Sequence, residues 1–393
     1  MPPAARAPPG ARGWQTRRAP GPDAERSTPA VREHLDFCLS LHQRFPASGA
    51  ASTCWSPYSV VSALGLAAAA TAGATRQELV TALRSDPGPL GRAVGAAADL
   101  PGAGDGGPEL AVANTLWTRS DVPVEDAYLQ QLRGWPGSAV RSAPFAEDPD
   151  GARRSINADV ADTTRGLIPE LLDAGSVHPN TVAALVNALY LKLAWQHPFD
   201  TAATKRRAFH APGGRREVAT MRHTRTFGYA AQHGWQVVAL PLAGGAEAVV
   251  LLPDGELTAA EPDLDAARLT DLLQAPQDRR LDLYLPKFEV TGRAELQQPL
   301  GALGVRTLFT PAADFSALTS LPLRVSTIVH QAVLEADESG IEGAAATAVM
   351  MRLTSAVREP DPLVVRVDRP FLFLVRHPGT GLVYFLARVT DPS

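Results

Sequence analysis

Residues 338–358 read Glu-Ser-Gly-Ile-Glu-Gly-Ala-Ala-Ala-Thr-Ala-Val-Met-Met-Arg-Leu-Thr-Ser-Ala-Val-Arg, and two backbone conformations compete for them. Alanine content alone favours a helix. Gly340 and Gly343 weaken the start of such a helix, and the charges respect a period of two rather than 3.6. Split by parity, as a strand would be, one face carries Ile341, Gly343, Ala345, Thr347, Val349 and Met351, all uncharged and mostly small. The other carries Glu342, Ala344, Ala346, Ala348, Met350 and Arg352, with both charges. Successive strand side chains point to opposite faces, so this segment can lie in a sheet with one face buried. Period alone leaves the two readings level, and the surroundings decide.

Working outward, the second half of the chain is rich in strand patterns. Residues 183–194 alternate too little for a half-exposed strand and fit a central strand buried on both faces. Residues 237–242 and 246–252 flank Ala243-Gly244-Gly245, whose glycines supply the positive backbone dihedrals of a tight hairpin. Residues 281–290, 364–367, 371–375 and 382–389 add further strands. The first half is helical. Leu35, Cys38, Leu39, Leu41 and Phe45 form an apolar stripe, Ser59 to Thr75 is an uncharged run suited to a buried helix, and Thr75-Arg-Gln-Glu-Leu79 fits a cap with an acidic first turn. No linker composition follows residue 31, so residues 31–393 are expected to form one α+β domain. Residues 1–30, dominated by Pro, Ala, Arg and Gly, are expected to form a disordered tail. That tail lacks the apolar stretch of a secretory signal, which points to the cytoplasm and leaves an extracellular location open. Two cysteines, Cys38 and Cys54, make no disulfide framework in a chain of 393 residues.

Motifs for chemistry are mostly missing. Gly102-Ala-Gly104-Asp-Gly-Gly107 fits a dinucleotide pattern on paper, but Pro101 and Pro108 deny it both the incoming strand and the outgoing helix. There is no nucleophile elbow, phosphate loop or zinc-protease helix, and the histidines show no metal-ligand spacing. A net charge of −4 without long basic runs gives no groove for nucleic acid. No cofactor or metal is expected, no membrane span, and no enzymatic activity.

From about residue 31 to its end the chain resembles a serpin. The matching stretches come in the family's order: Ser56-Pro57-x-Ser59 opening a helix taken to carry Gly73 to Thr75, Ala113-Asn114, Asn157-x-x-Val160, residues 164–168, and Val186-Asn187-Ala188-Leu-Tyr190 leading to Trp195 and Phe199. Then come Leu285-Pro286-Lys287-Phe288, Asp314-Phe315-Ser316, Val329-His330-Gln331, Glu338-Ser-Gly340 and Arg369-Pro370-Phe371. The sequence departs from the pattern at Asp159, where Trp is usual, at Ile341 and Gly343 in the hinge, and at Ala387, where Gly is customary.

The resemblance implies a fold of three β-sheets and about nine helices with an exposed reactive-centre loop, acting as a monomer. It implies a suicide-substrate inhibitor: a protease acylates itself on the loop, and the cut loop inserts into the main sheet before the acyl-enzyme is hydrolysed. Strand addition of this kind uses main-chain hydrogen bonds for affinity and side-chain alternation for specificity. The hinge would be Glu338, Gly340, Ile341, Glu342, Gly343, Ala344, Ala345, Ala346 and Thr347. Ser56, Ser59, Asn187 and His330 fit a hydrogen-bonded cluster beneath the opening sheet, Lys287 and Glu338 a pair bridging its top, and Trp195 an aromatic packed beside them. Counting from Glu338 places the reactive bond at Thr354–Ser355, with Arg352 and Leu353 as competitors. A short β-branched residue at the cleaved bond suits an elastase-like or subtilisin-like serine protease. A cross-class inhibitor of a cysteine protease and a non-inhibitory serpin are the alternatives.

Overall fold

A computed structural model describes residues 29–45, 51–103, 107–326, 328–341 and 361–393. The helices in chain order are α1 (Pro29–His42), α2 (Pro57–Ala70), α3 (Gly73–Leu83), α4 (Pro87–Ala98), α5 (Asp126–Leu132), α6 (Pro149–Thr163), α7 (Leu257–Ala260), α8 (Ala266–Gln274) and α9 (Gln297–Ala302). The strands are β1 (Thr53–Trp55), β2 (Glu109–Arg119), β3 (Ser138–Ala143), β4 (Ala183–Ala194), β5 (Lys205–Ala211), β6 (Gly214–Gln232), β7 (Trp235–Pro241), β8 (Glu247–Pro253), β9 (Gln277–Pro286), β10 (Phe288–Glu295), β11 (Val329–Ala336), β12 (Gly340–Ile341), β13 (Leu363–Arg366), β14 (Phe371–Arg376) and β15 (Val383–Val389). The α+β class is as expected, with nine α-helices among the described residues.

One sheet has the order β10-β11-β12-β4-β2-β3, and the apolar strand β4 is central in it. The other runs β1-β15-β14-β8-β7-β6-β9-β13, with β5 added to β6. Two of the three expected sheets are thus hydrogen-bonded into one, because β6 is 19 residues long and pairs with β5 at one end and with β7 and β9 along the rest. The hairpin β7–β8 closes as expected, with Gly244 and Gly245 at φ 71° and 73°.

Helix α2 lies beneath both sheets with all 14 residues buried. Ser56 caps it, its Oγ accepting the Ser59 N–H at 3.1 Å, and Pro57 occupies the first turn, where a missing N–H costs nothing. The uncharged run does not continue as one helix to Thr75. It stops at Ala70, Thr71 turns its hydroxyl back onto Ala67 O at 2.9 Å, and Gly73, at φ 54°, opens α3. Thr75 therefore sits inside α3, where it accepts the Asp314 N–H at 3.0 Å instead of capping a helix. Glu78 likewise serves a neighbour, accepting the N–H groups of Arg306 and Thr307, each at 2.8 Å.

Residues 281–290, expected as one strand, are two. Pro286 has no N–H to continue the ladder, Lys287 donates instead to Ala219 O at 2.8 Å, and the chain passes from β9 of the large sheet to β10 of the other. Both cysteines are free and buried. Pro29 and Ala30, placed in the tail by composition, are the first residues of α1. Asp159 on α6 forms an ion pair with Arg141 of β3 at 2.7 Å and accepts the Thr115 hydroxyl of β2 at 3.3 Å, so an ionic anchor stands where the family usually has a Trp. No helix among the described residues is long and apolar enough to cross a membrane, and no group of three or more His, Cys, Asp or Glu among them is arranged to hold a metal.

The two sheets meet where β1 crosses β10. A side chain added at Gly292 would place its Cβ 1.8 Å from Cys54 O, a contact with backbone that no rotamer relieves. Gly292→Ala is expected to destabilise the protein by about 3 kcal/mol, read as a lowered thermal midpoint; an unchanged midpoint would mean that the sheets can part there without cost.

Candidate functional site

The site is built where β11 turns into β12. Asp337 shapes the turn, its Oδ1 accepting the N–H groups of Ser339 at 2.7 Å and Gly340 at 3.2 Å. The chain then enters the sheet between two strands: Ile341 pairs with Ala336 of β11 on one side and with Leu193 of β4 on the other, and Gly340 pairs with Ala194. Only glycine fits at 340, because a Cβ would lie 2.2 Å from Leu193 O and 2.7 Å from Ala194 Cα. Ile341 is buried.

Polar and aromatic groups clasp this turn. Glu338 is buried, yet its two carboxylate oxygens are both used: Oε2 accepts from Lys287 Nζ at 2.7 Å and Oε1 from the Thr204 hydroxyl at 2.7 Å. Burial pushes the Glu338 pKa up, but the hydrogen bonds from Lys287 and Thr204 outweigh it and hold the carboxyl below its ordinary value. Lys287 is shifted upward in turn, chiefly by its hydrogen bond to Glu338. Trp195 donates its indole N–H to Asp337 O at 2.7 Å and its backbone N–H to Ser339 O at 3.0 Å, while its ring packs edge-on against Phe199 at 5.8 Å. The Phe199 N–H closes the clasp on Glu338 O at 2.9 Å.

Further down the same seam, a small cavity is walled by Val329 and His330 of β11 and by Leu185 and Asn187 of β4, over Val60, Ala63 and Leu64 of α2. His330 Nε2 accepts the Ser56 N–H at 3.0 Å, which leaves the ring proton on Nδ1 in the neutral form. The Asn187 amide donates to Asn114 Oδ1, and Asn114 donates to Pro136 O at 2.9 Å. Ser59 Oγ and Asn187 Oδ1 are buried without a hydrogen-bond partner among the described residues. Groups of that kind are rare in native proteins and call for an explanation.

The structure thus gathers Ser56, Ser59, Asn187 and His330 at one level of the seam, and Trp195, Lys287, Glu338 and Gly340 at its top. Glu342, Gly343, Ala344, Ala345, Ala346 and Thr347 of the hinge, and Arg352, Leu353, Thr354 and Ser355 around the reactive bond, lie outside the described residues. Sequence reasoning missed Thr204 and Asp337 altogether, and it quoted Asn114 only as a landmark. A lone Thr before a strand carries no signal of a partner 134 residues away. Asp337, two residues before Ser339, does carry the signature of an Asx turn.

Burial holds the His330 pKa down at about 4. The unfolded chain therefore takes up this proton first as pH falls, so the stability due to neutral His330 is complete above about 6.5 and is lost progressively down to about 4, on the order of 3 kcal/mol. Denaturation midpoints measured across that window should fall, and His330→Asn should flatten the curve, His34 keeping its own share because burial lowers it to about 4 as well. An equally steep curve in the variant would place the pH sensitivity elsewhere.

Comparison with known proteins agrees with this architecture. Residues 32–392 match the family profile described as Serpin (serine protease inhibitor). The chain is 34% identical over 289 residues to the plasma serine protease inhibitor of Bos taurus, covering 72% of this chain and 70% of that one. It is 31% identical over 377 residues to the leukocyte elastase inhibitor of Bos taurus, covering 92% and 98%. Among solved structures it superposes on uncleaved ovalbumin with a TM-score of 0.82 at 24% identity, over 92% of this chain and 100% of that one, a likeness of fold. By sequence profile, by relatives and by fold, the chain belongs to the serpin family.

Proposed function

We propose that this serpin is a suicide-substrate inhibitor of a serine protease, with residues 342–358 as bait and the seam between β4 and β11 as the place where the cut loop is received. The observation that carries this reading is β12: Gly340 and Ile341, immediately before the bait, already pair with β4, and Ile341 with β11 as well. Extending that register downward by six residues from Ile341, Ala336 and Leu193 sets Thr347 between His330 and Asn187. A hydroxyl delivered there meets the buried, unpartnered Asn187 Oδ1. The same extension turns Gly343, Ala345 and Thr347 to the side on which Ile341 is buried, and keeps Glu342 on the other.

In this mechanism the protease serine attacks the carbonyl carbon of Thr354, an ester forms as the Thr354–Ser355 bond breaks, and the proton lost by the serine hydroxyl passes through the protease's base to the Ser355 nitrogen, which leaves as an amine. The acyl ester then travels with the loop. A new strand making about ten backbone hydrogen bonds at roughly 1 kcal/mol each supplies on the order of 10 kcal/mol, comparable with the whole stability of a typical domain and so sufficient to deform the bound protease. The short β-branched Thr354 favours an elastase-like or subtilisin-like target, in keeping with the relative named as a leukocyte elastase inhibitor. The working unit is the monomer.

Incubation with an elastase-class protease should give an adduct stable to SDS and a released fragment of residues 355–393 identified by mass. A fragment beginning at Leu353 would move the bond to Arg352, an adduct with a cysteine protease alone would make the inhibitor cross-class, and clean cleavage without adduct, in a protein whose melting point does not rise on cleavage, would make it non-inhibitory. Ile341→Arg and Ala345→Arg should convert inhibitor into substrate, because an unpaired charge on the buried parity delays insertion past hydrolysis, while Glu342→Arg should still trap. Equal loss in all three would sink the parity argument.

The Lys287–Glu338 pair predicts a kinetic effect of its own. A partly exposed ion pair contributes about 0–1 kcal/mol to stability, so Glu338→Ala should barely move the initial melting point. It should instead release the top of β12, giving inserted monomers or linked multimers on mild warming, followed as native-gel mobility against time. Wild-type and variant bands that evolve alike would deny the pair that role.

A further inference from the structure

We propose that a compact basic and aromatic patch on β5, β6, β9 and β13 is a second contact site for the protease held at the loop, taking a carboxylate-bearing loop of that enzyme. The proposal rests on the protease-trapping function above. Its centre is Tyr284 on β9, which lies in register between Arg222 of β6 and Arg366 of β13. Three guanidinium groups surround its ring: Arg207 at 4.5 Å from the centroid, and Arg222 and Arg366 each at 5.4 Å.

One carboxylate answers these three cations, and it is committed. Asp282 accepts from Arg222 Nε at 2.8 Å and Nη2 at 3.1 Å, from the Thr224 hydroxyl at 2.9 Å and from the Tyr284 hydroxyl at 3.0 Å. Arg207 and Arg366 form no ion pair among the described residues, so the patch keeps two positive charges on a chain whose net charge is −4. Beside them Val364, opposite Asp282 on β13, is one of three large hydrophobic residues exposed among the described ones. Tyr284 is itself buried beneath the guanidinium groups, so it serves as the platform that holds them, and arginines presented beside an exposed aliphatic side chain suit an interface better than a solvated sheet face.

Size and place select the occupant. The row Arg222–Tyr284–Arg366 crosses three strands, about 10 Å, room for two or three side-chain carboxylates held by guanidinium forks but short for a polyanion chain. Arg366 also stands on the strand that receives the chain after residue 360. An enzyme engaged at the proposed Thr354–Ser355 bond of the intact chain is joined to Leu363 of β13 by eight residues, a reach of at most about 29 Å, which raises the effective concentration of any acidic loop beside its cleft.

The test is the second-order rate of inhibition by two elastase-class proteases, one with an acidic and one with a basic rim around its cleft, over a range of salt. Arg207→Gln/Arg366→Gln should slow the acidic-rimmed enzyme about tenfold at low salt and flatten its salt dependence, while the stoichiometry of trapping and the melting point of the intact protein stay the same. Arg366→Lys, which keeps charge and loses the fork, should fall between. Equal rates and salt slopes in wild type and double variant, with adduct still formed, would overturn this site alone. Failure of the wild type to form an adduct with either enzyme would overturn the trapping function and this site with it. Retention of the wild type but not the variant on a sulfated polysaccharide matrix, with unchanged rates of inhibition, would assign the patch to a polyanion and overturn it too.

Discussion

A strand edge in the middle of a sheet has an obligatory demand for hydrogen bonds, and between β4 and β11 that demand is met, among the described residues, by the two residues of β12. Much of the surrounding structure bears on that seam. Helix α2, buried on every side, underlies it. The turn from Asp337 to Gly340 begins to fill it, and the Glu338 carboxylate ties the turn to Lys287 and Thr204. Below, His330 and Ser56 on one side and Asn187 and Asn114 on the other form two short polar chains with unused hydrogen-bonding capacity between them. An apolar lining would leave the seam indifferent to what enters. On the insertion proposed above, buried polar groups without partners would make it selective, because each costs about 1–3 kcal/mol until a complementary group arrives.

Much of this was legible in the sequence, for reasons that differ by element. Strand β4 announced itself because a strand covered on both faces must be apolar throughout. The β7–β8 hairpin was legible because Gly244 and Gly245 supply backbone dihedrals that other residues avoid. Of the parity read in residues 338–358, the described residues include only the start, where Ile341 is buried between β11 and β4. The helix after Ser56 was read too long: no charged residue interrupts the run from Ser59 to Thr75, and what stops the helix at Ala70 is Thr71 bonding back to its last turn. The passage from β9 to β10 was missed because strand-like alternation resumes directly after Pro286-Lys287, and the choice of sheet is a tertiary matter. Single residues of the site came from resemblance rather than from pattern, since an isolated His330 or Lys287 says nothing by itself about what it faces. Thr204 had neither kind of signal.

Two positions show how the same architecture is held by different chemistry. Asp159 binds α6 to the sheet through Arg141 and Thr115, where the family usually relies on an indole. Ala387 stands fully buried in β15, between Phe373 of β14 and Cys54 of β1, at a position where glycine is customary. The extra methyl group is accommodated within the ladder, whereas at Gly292 and Gly340 backbone oxygens lie too close to admit one. Absence of a side chain is a requirement at those two sites and a family habit at Ala387.

The turn at Asp337–Gly340 has a consequence for rates as well as for shape. Adding a strand to a sheet usually begins with a search, in which the entropy of closing a loop and finding register is lost before any ladder hydrogen bond is gained. Here Gly340 and Ile341 already hold one rung between β11 and β4, so on the insertion proposed above the nucleus of a new strand would be part of the resting molecule. What would remain on that proposal is propagation from Ile341, one residue at a time, in the register set by Ala336 and Leu193. The speed of such a process would then be governed by how readily β4 and β11 separate, and hardly at all by chance encounter.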